Sequence, residues 1–244
     1  MNTKERFMNS CLEKDYFTIK NNSGNGACLF ISFLFFLIER KKDFISNPFF
    51  LEVFEGDEDG VSDDLIDVYA NKIQQQIRRW IIDHKYENVK IPYLNMNLES
   101  FLLSNHPTIG SIDVYEYLFE IYAGDNDFIE EESNEIYKRG PKKGKKKITK
   151  IKIEPRWGGT TETYAFSQMY GVNVNQWFIK SYNERMKKET ICTLRSKNYR
   201  YYLAEKIEYK DDNHMTINLL HVNNNHYALL LEKKMNNIIF KKSV

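Results

Sequence analysis

Leu29 to Ile38 is an apolar run broken only by Ser32, and it follows a polar, glycine-rich stretch, Asn21-Asn22-Ser23-Gly24-Asn25-Gly26. Ala27 and Cys28 stand at the junction. The run is long enough for about two and a half helical turns. The pattern predicts a tight turn feeding a buried helix, with the cysteine in the first turn. Unpaired amides and the helix dipole favour an anion there, which would lower the thiol pKa. The same stretch also fits a buried structural cysteine, since free cysteines are among the most buried residues.

The 244 residues allow one large domain or two small ones, and 42% hydrophobic content with 16 Tyr and 16 Phe supplies a core. Cys11, Cys28 and Cys192 have no metal or disulfide spacing and suit a reducing compartment. The N-terminus is too polar for a signal peptide, and no apolar run is long enough to span a bilayer. The expected location is cytoplasmic.

A net charge of +1 hides an asymmetry. Residues 138–152 carry nine positive charges and no negative one, so the remainder is net negative. Nucleic acid is therefore not the expected main partner. The basic run reads as a solvated loop, with a nuclear-localisation patch and a nucleic-acid or anionic-membrane contact as lesser alternatives.

Residues 1–20 read as a short helix or irregular arm leading into an extended segment, Tyr16 to Ile19. Asn47-Pro48 breaks the pattern. Seven acids crowd Glu55 to Asp67, and Ser62 is placed to cap an amphipathic helix over 63–84 with Tyr69, Ile73, Ile77 and Ile81 on its apolar face. Short helices are expected over Leu98–Leu103 and after Ser111. Asp125 to Glu135 is acidic again. Thr160 opens a helix that Gly171 ends. Extended segments are expected at Val172–Phe178, Ile191–Leu194, Tyr199–Tyr209, Met215–His221 and His226–Glu232. A helical middle and a strand-rich end favour one α+β domain, its sheet packed on the Cys28 helix, with a helical arm inserted at about 40–150 and the strand-rich part over about 153–240.

A nucleophilic thiol needs a base within hydrogen-bond reach, and histidine has the right pKa. Of His84, His106, His214, His221 and His226, the last opens an apolar strand directly after three asparagines, where a base would be held rigidly. A histidine that merely satisfies a sheet edge would look the same.

Three blocks stand in the order of the ovarian-tumour (OTU) family of cysteine deubiquitinases, which the chain resembles. Gly24-Asn25-Gly26-Ala27-Cys28-Leu29-Phe30 resembles the family's Gly-Asp-Gly-Asn-Cys-Leu-Phe nucleophile block. Trp157-Gly158-Gly159-Thr160-Thr161-Glu162 resembles its Trp-Gly-x-x-x-Glu block, and His226-Tyr227 its terminal His-Tyr/Phe strand. The resemblance covers about 15–232; residues 40–150 match nothing specific and correspond to the family's variable helical arm, enlarged here. It implies a papain-like fold and no cofactor or metal.

By this resemblance Cys28 would attack the isopeptide carbonyl after the last glycine of ubiquitin, and His226 would be the base. Amides of Asn25, Gly26 and Ala27 would hold the oxyanion, and Trp157 and Glu162 would be architectural. Many members orient the imidazole with Asp or Asn two residues after the histidine; here that residue is Ala228. Asn21 is the first candidate for the orienting role, with Asp15, Asn22 and Asn224 as alternatives. Asn25 and Ala27 also depart from the family's Asp and Asn.

The expected function is a thiol-dependent deubiquitinase acting on ubiquitin or polyubiquitin. Alternatives are a protease for a ubiquitin-like modifier or a viral polyprotein, and a catalytically silent ubiquitin-binding fold. The divergent blocks and Asn/Lys-rich composition suggest a viral protein or bacterial effector in the host cytoplasm. Either acidic run would suit the basic tail of ubiquitin, and equally either is a solvated face.

Overall fold

The computed structural model describes residues 11–22, 27–55, 65–91, 94–105, 128–136, 144–152, 158–183, 188–191, 199–209, 214–222 and 226–233. Helix α1, Cys28–Glu39, lies at its centre. Nine of its residues are buried, from Cys28 to Leu37. A helix apolar on all sides is one enclosed on all sides. Its C-terminal turn closes through the Arg40 amide, which donates to Phe36.

The helices of the arm wrap α1. Short α2, Lys41–Phe44, leads to α3, Pro48–Phe54. Asn47-Pro48 starts this helix and does not simply break the chain. The Asn47 side chain accepts from the amides of Phe49 and Phe50, and proline fits the first helical position. The predicted amphipathic helix is α4, Ile66–Asp83, with Tyr69, Ala70, Ile73, Ile77 and Ile81 buried. Its expected cap, Ser62, lies outside the described residues, as does the helix expected after Ser111. Helix α5, Leu98–Asn105, follows.

Helix α6, Thr160–Tyr170, is capped by Gly159 where the sequence suggested Thr160. The Gly159 amide donates to Glu162 Oε2 at 2.8 Å, and the Thr163 hydroxyl donates to the Gly159 carbonyl at 2.8 Å. Gly171, at φ +65°, ends the helix in the left-handed conformation that glycine takes without strain. Phe166 of α6 stacks on Phe33 of α1 at 3.9 Å between centroids, which locks the two helices together.

Among the described residues, seven strands form one mixed sheet: β1 Cys11–Glu13, β2 Phe17–Lys20, β5 Asn173–Asn183, β6 Lys188–Ile191, β7 Arg200–Ile207, β8 Thr216–Val222 and β9 His226–Glu232. The order is β1-β7-β5-β8-β9-β2, with β6 paired to the far end of β5. Only β5 and β8 run parallel. The extended segment read at Tyr16–Ile19 is β2, but β1 and a 3-10 turn over Lys14–Tyr16 precede it where a helix or irregular arm was expected. Side chains alternate across the sheet. Val174, Leu219, Tyr227 and Leu229 join the helices in one core. Phe17, Trp177, Tyr201, Leu220, Ala228 and Leu230 form a second core on the other face. There Trp177 Nε1 donates to Asn218 Oδ1 at 2.9 Å, satisfying the buried indole.

The end of the arm departs from the reading. Residues 128–152 were expected to add an acidic stretch and a solvated basic loop to a helical region. Instead β3, Phe128–Ile136, pairs antiparallel with β4, Lys146–Lys152. Glu130 stands opposite Lys150. The acid-rich and lysine-rich stretches are therefore neighbouring strands of one ladder. The remaining basic residues, 138–143, lie outside the described residues.

Candidate active site

Cys28 begins α1 without a side-chain cap before it; Ala27 precedes it at φ −93°, ψ 5°. The residue is 1% exposed. Its Sγ accepts a hydrogen bond from the Tyr227 amide on β9 at 3.3 Å. Burial pushes the thiol pKa up, against hydrogen bonds from the Tyr227 and Leu29 amides that favour the thiolate. This corrects the expectation of a lowered thiol pKa: withdrawal from water outweighs the helix terminus here.

His226 opens β9 immediately before Tyr227, so the strand whose amide touches the thiol also carries the imidazole. Nε2 of His226 lies 2.7 Å from Asn21 Oδ1. An amide oxygen only accepts, so Nε2 carries the proton and Nδ1 keeps its lone pair. Burial holds the imidazole pKa below 6.5. Thiol and imidazole are thus both biased to their neutral forms.

The register explains how Asn21 reaches the ring. β2 pairs with β9 as far as Lys20 opposite Leu229, and Asn21 follows directly where the ladder ends. Ala228 is fully buried. Ala228 offers the ring only a methyl group, and the amide bonded to it comes from Asn21, just past the end of β2. Asp15, an alternative for this role, is exposed on the 3-10 turn and lies 3.9 Å from Lys233 Nζ. Asn22, another, contacts the carbonyls of Cys28 and Tyr227 and the Ser32 hydroxyl. Asn224, Asn25, Gly26 and Trp157 lie outside the described residues, while Ala27 is buried.

Asn21 is thus bonded to the His226 ring, and the amide of the next residue along the strand, Tyr227, is bonded to the Cys28 thiol. Glu162 stands apart, closing the first turn of α6. Two participants were not singled out by sequence reasoning. Ser32 was read only as a break in an apolar run; it is fully buried and donates to the Cys28 carbonyl at 2.8 Å. A lone hydroxyl in such a run was the available signal. Gly158 abuts α1: a Cβ there would lie 2.7 Å from Leu29 Cδ2 and 2.9 Å from Phe30 Cζ. Among the described residues, no group of three His, Cys, Asp or Glu is placed to hold a metal ion.

No family profile matches the chain, and no curated protein matches it. Solved structures similar to it include the OTU domain of Hazara virus bound to ubiquitin, at 13% identity over 90% of this chain and 83% of that one, TM-score 0.39. The OTU domain of OTUD1 matches at 14% identity, covering 88% of this chain and 86% of that one, TM-score 0.37. The viral OTU domain protease from Qalyub virus matches at 15% identity, covering 92% and 91%, TM-score 0.43.

Proposed function

We propose that the chain is a cysteine protease that removes ubiquitin, hydrolysing the isopeptide bond after its C-terminal glycine. The observation that carries this reading is the convergence at Cys28: the thiol accepts from the amide of Tyr227, the residue that follows His226 in its strand, and Nε2 of His226 is held by Asn21. Three sequence blocks spaced as in the OTU family support the choice of substrate.

These positions and the sequence blocks support the following steps. Cys28 Sγ attacks the carbonyl carbon while Nδ1 of His226 takes the thiol proton. The C–N bond breaks and the same proton passes to the leaving lysine amine. Water, deprotonated by His226, then cleaves the thioester and restores the thiol. Asn21 keeps the proton on Nε2 throughout and so presents the correct nitrogen. Amides of the Asn25–Cys28 loop hold the oxyanion. Leu51, Leu65 and Val68, exposed on the arm, offer apolar surface to ubiquitin.

The test is reaction with ubiquitin carrying a C-terminal electrophile. One adduct, mapped by mass to the Cys28 peptide, is expected. No adduct on a folded protein would overturn the reading. The buried, high-pKa thiol favours one rival, a ubiquitin-binding fold without turnover. That rival requires measurable ubiquitin affinity with no adduct.

The acid limb of the pH profile should report His226. Protonation removes the base, so kcat/KM falls as pH drops through the His226 pKa. Burial lowers that pKa, so the limb should have its midpoint below 6.5, the value of an ordinary histidine. A midpoint above 6.5 would contradict the environment described.

A further inference from the structure

Asn22 bridges two elements of the fold, the first turns of α1 and the start of β9. Its Nδ2 lies 3.0 Å from the Tyr227 carbonyl, 3.1 Å from the Cys28 carbonyl and 3.2 Å from Ser32 Oγ. An amide nitrogen has two hydrogens. One meets Tyr227 on β9. The other is shared between Cys28 and Ser32, which are already joined by the serine hydroxyl. Tyr227 is consequently held at both backbone polar atoms, its carbonyl by Asn22 and its amide on Cys28 Sγ.

We propose that Asn22 is a positioning residue, fixing the nucleophile turn of α1 at its working distance from the strand that carries His226. The inference rests on the reading of Cys28 and His226 as nucleophile and base. Adjacent asparagines then divide two tasks: Asn21 sets the imidazole, and Asn22 sets the separation of thiol and strand. With the tether removed, Tyr227 can withdraw, and its amide ceases to stabilise the thiolate. Among the described residues, the Tyr227 bond is the foremost influence opposing burial of the thiol.

The experiment follows the pH dependence of Cys28 alkylation by iodoacetamide, read on the Cys28 peptide of the full chain, beside turnover of ubiquitin with a fluorogenic C-terminal amide. Asn22→Leu keeps the shape and removes the donors. It is expected to raise the alkylation midpoint by about one pH unit and to lower kcat about tenfold, with KM within about twofold. Ser32→Ala breaks the shared bond but leaves the Tyr227 tether. It should lower Tm and keep the wild-type midpoint. An unshifted midpoint in Asn22→Leu, or an equal shift in Ser32→Ala, overturns the proposal. If Asn22→Leu fails to fold, Asn22→Ser, with one donor, should shift the midpoint the same way by less; no shift there overturns it too. A shifted midpoint in a protein that never turns over ubiquitin would sink the functional reading and leave the Asn22 assignment standing.

Discussion

Replacing His226 with alanine is expected to slow ubiquitin release about a thousandfold, while Cys28→Ala abolishes it. The two losses differ because a thiol retains some reactivity without a base, whereas no other group takes the thiol's place. Asn21→Ala should cost about 10- to 100-fold in kcat, since the ring keeps its chemistry but loses the bond that fixes the proton on Nε2. The decisive comparison is the double variant. Asn21 acts through the imidazole, so adding Asn21→Ala to His226→Ala should cost nothing further. An additional loss of tenfold would mean that Asn21 serves another partner. Single-turnover rates on a ubiquitin amide would give all three values.

The second large effect concerns stability. Gly158→Ala should destabilise the fold by about 2 kcal/mol, the cost of forcing a methyl group into a filled core. Leu29 Cδ2 would lie 2.7 Å from the new Cβ, and Leu29 and Phe30 are each 1% exposed, so neither can retreat into solvent. For a chain of this size the Tm should fall by roughly 4–8 °C. Leu29→Ala costs stability alone by opening a cavity. Combined with Gly158→Ala it should cost less than the sum, because the methyl fills part of that cavity. Strict additivity in thermal melts would show that the two residues do not compete for space. Leu29 follows the nucleophile directly, so Gly158→Ala should also slow Cys28 alkylation.

The sheet and the nucleophile helix were largely legible because their signals are local. Apolar residues on every side of α1, a Gly171 stop and the apolar run of β9 need no partner to be read. β3 and β4 were not legible for the opposite reason. Acid-rich and lysine-rich segments each look like solvated loop when read singly, and their pairing with each other is a property of neither alone. The site divides the same way. Cys28 and His226 announce themselves by the turn and strand they open. Asn21 stood out by its nearness to the cysteine, but its contact with the ring depends on a strand register. Asn22 acts through a bond spanning 205 residues of chain, which no spacing rule reveals. The thiol pKa was misjudged because a helix terminus is visible in sequence and depth of burial is not.

The placement of β9 between β2 and β8 also sets a clock. A ribosome that has reached Val222 has already made Cys28, its helix and most of the sheet. Yet β2 still lacks its ladder neighbour, Asn21 has no imidazole to hold, and the sulfur has no Tyr227 amide against it. Those contacts arrive together when residues 226–232 slot between strands synthesised earlier. Chains that stop before residue 226 would therefore lack all three contacts, and the arrangement around Cys28 would be completed in one step, by the strand inserted last among those described.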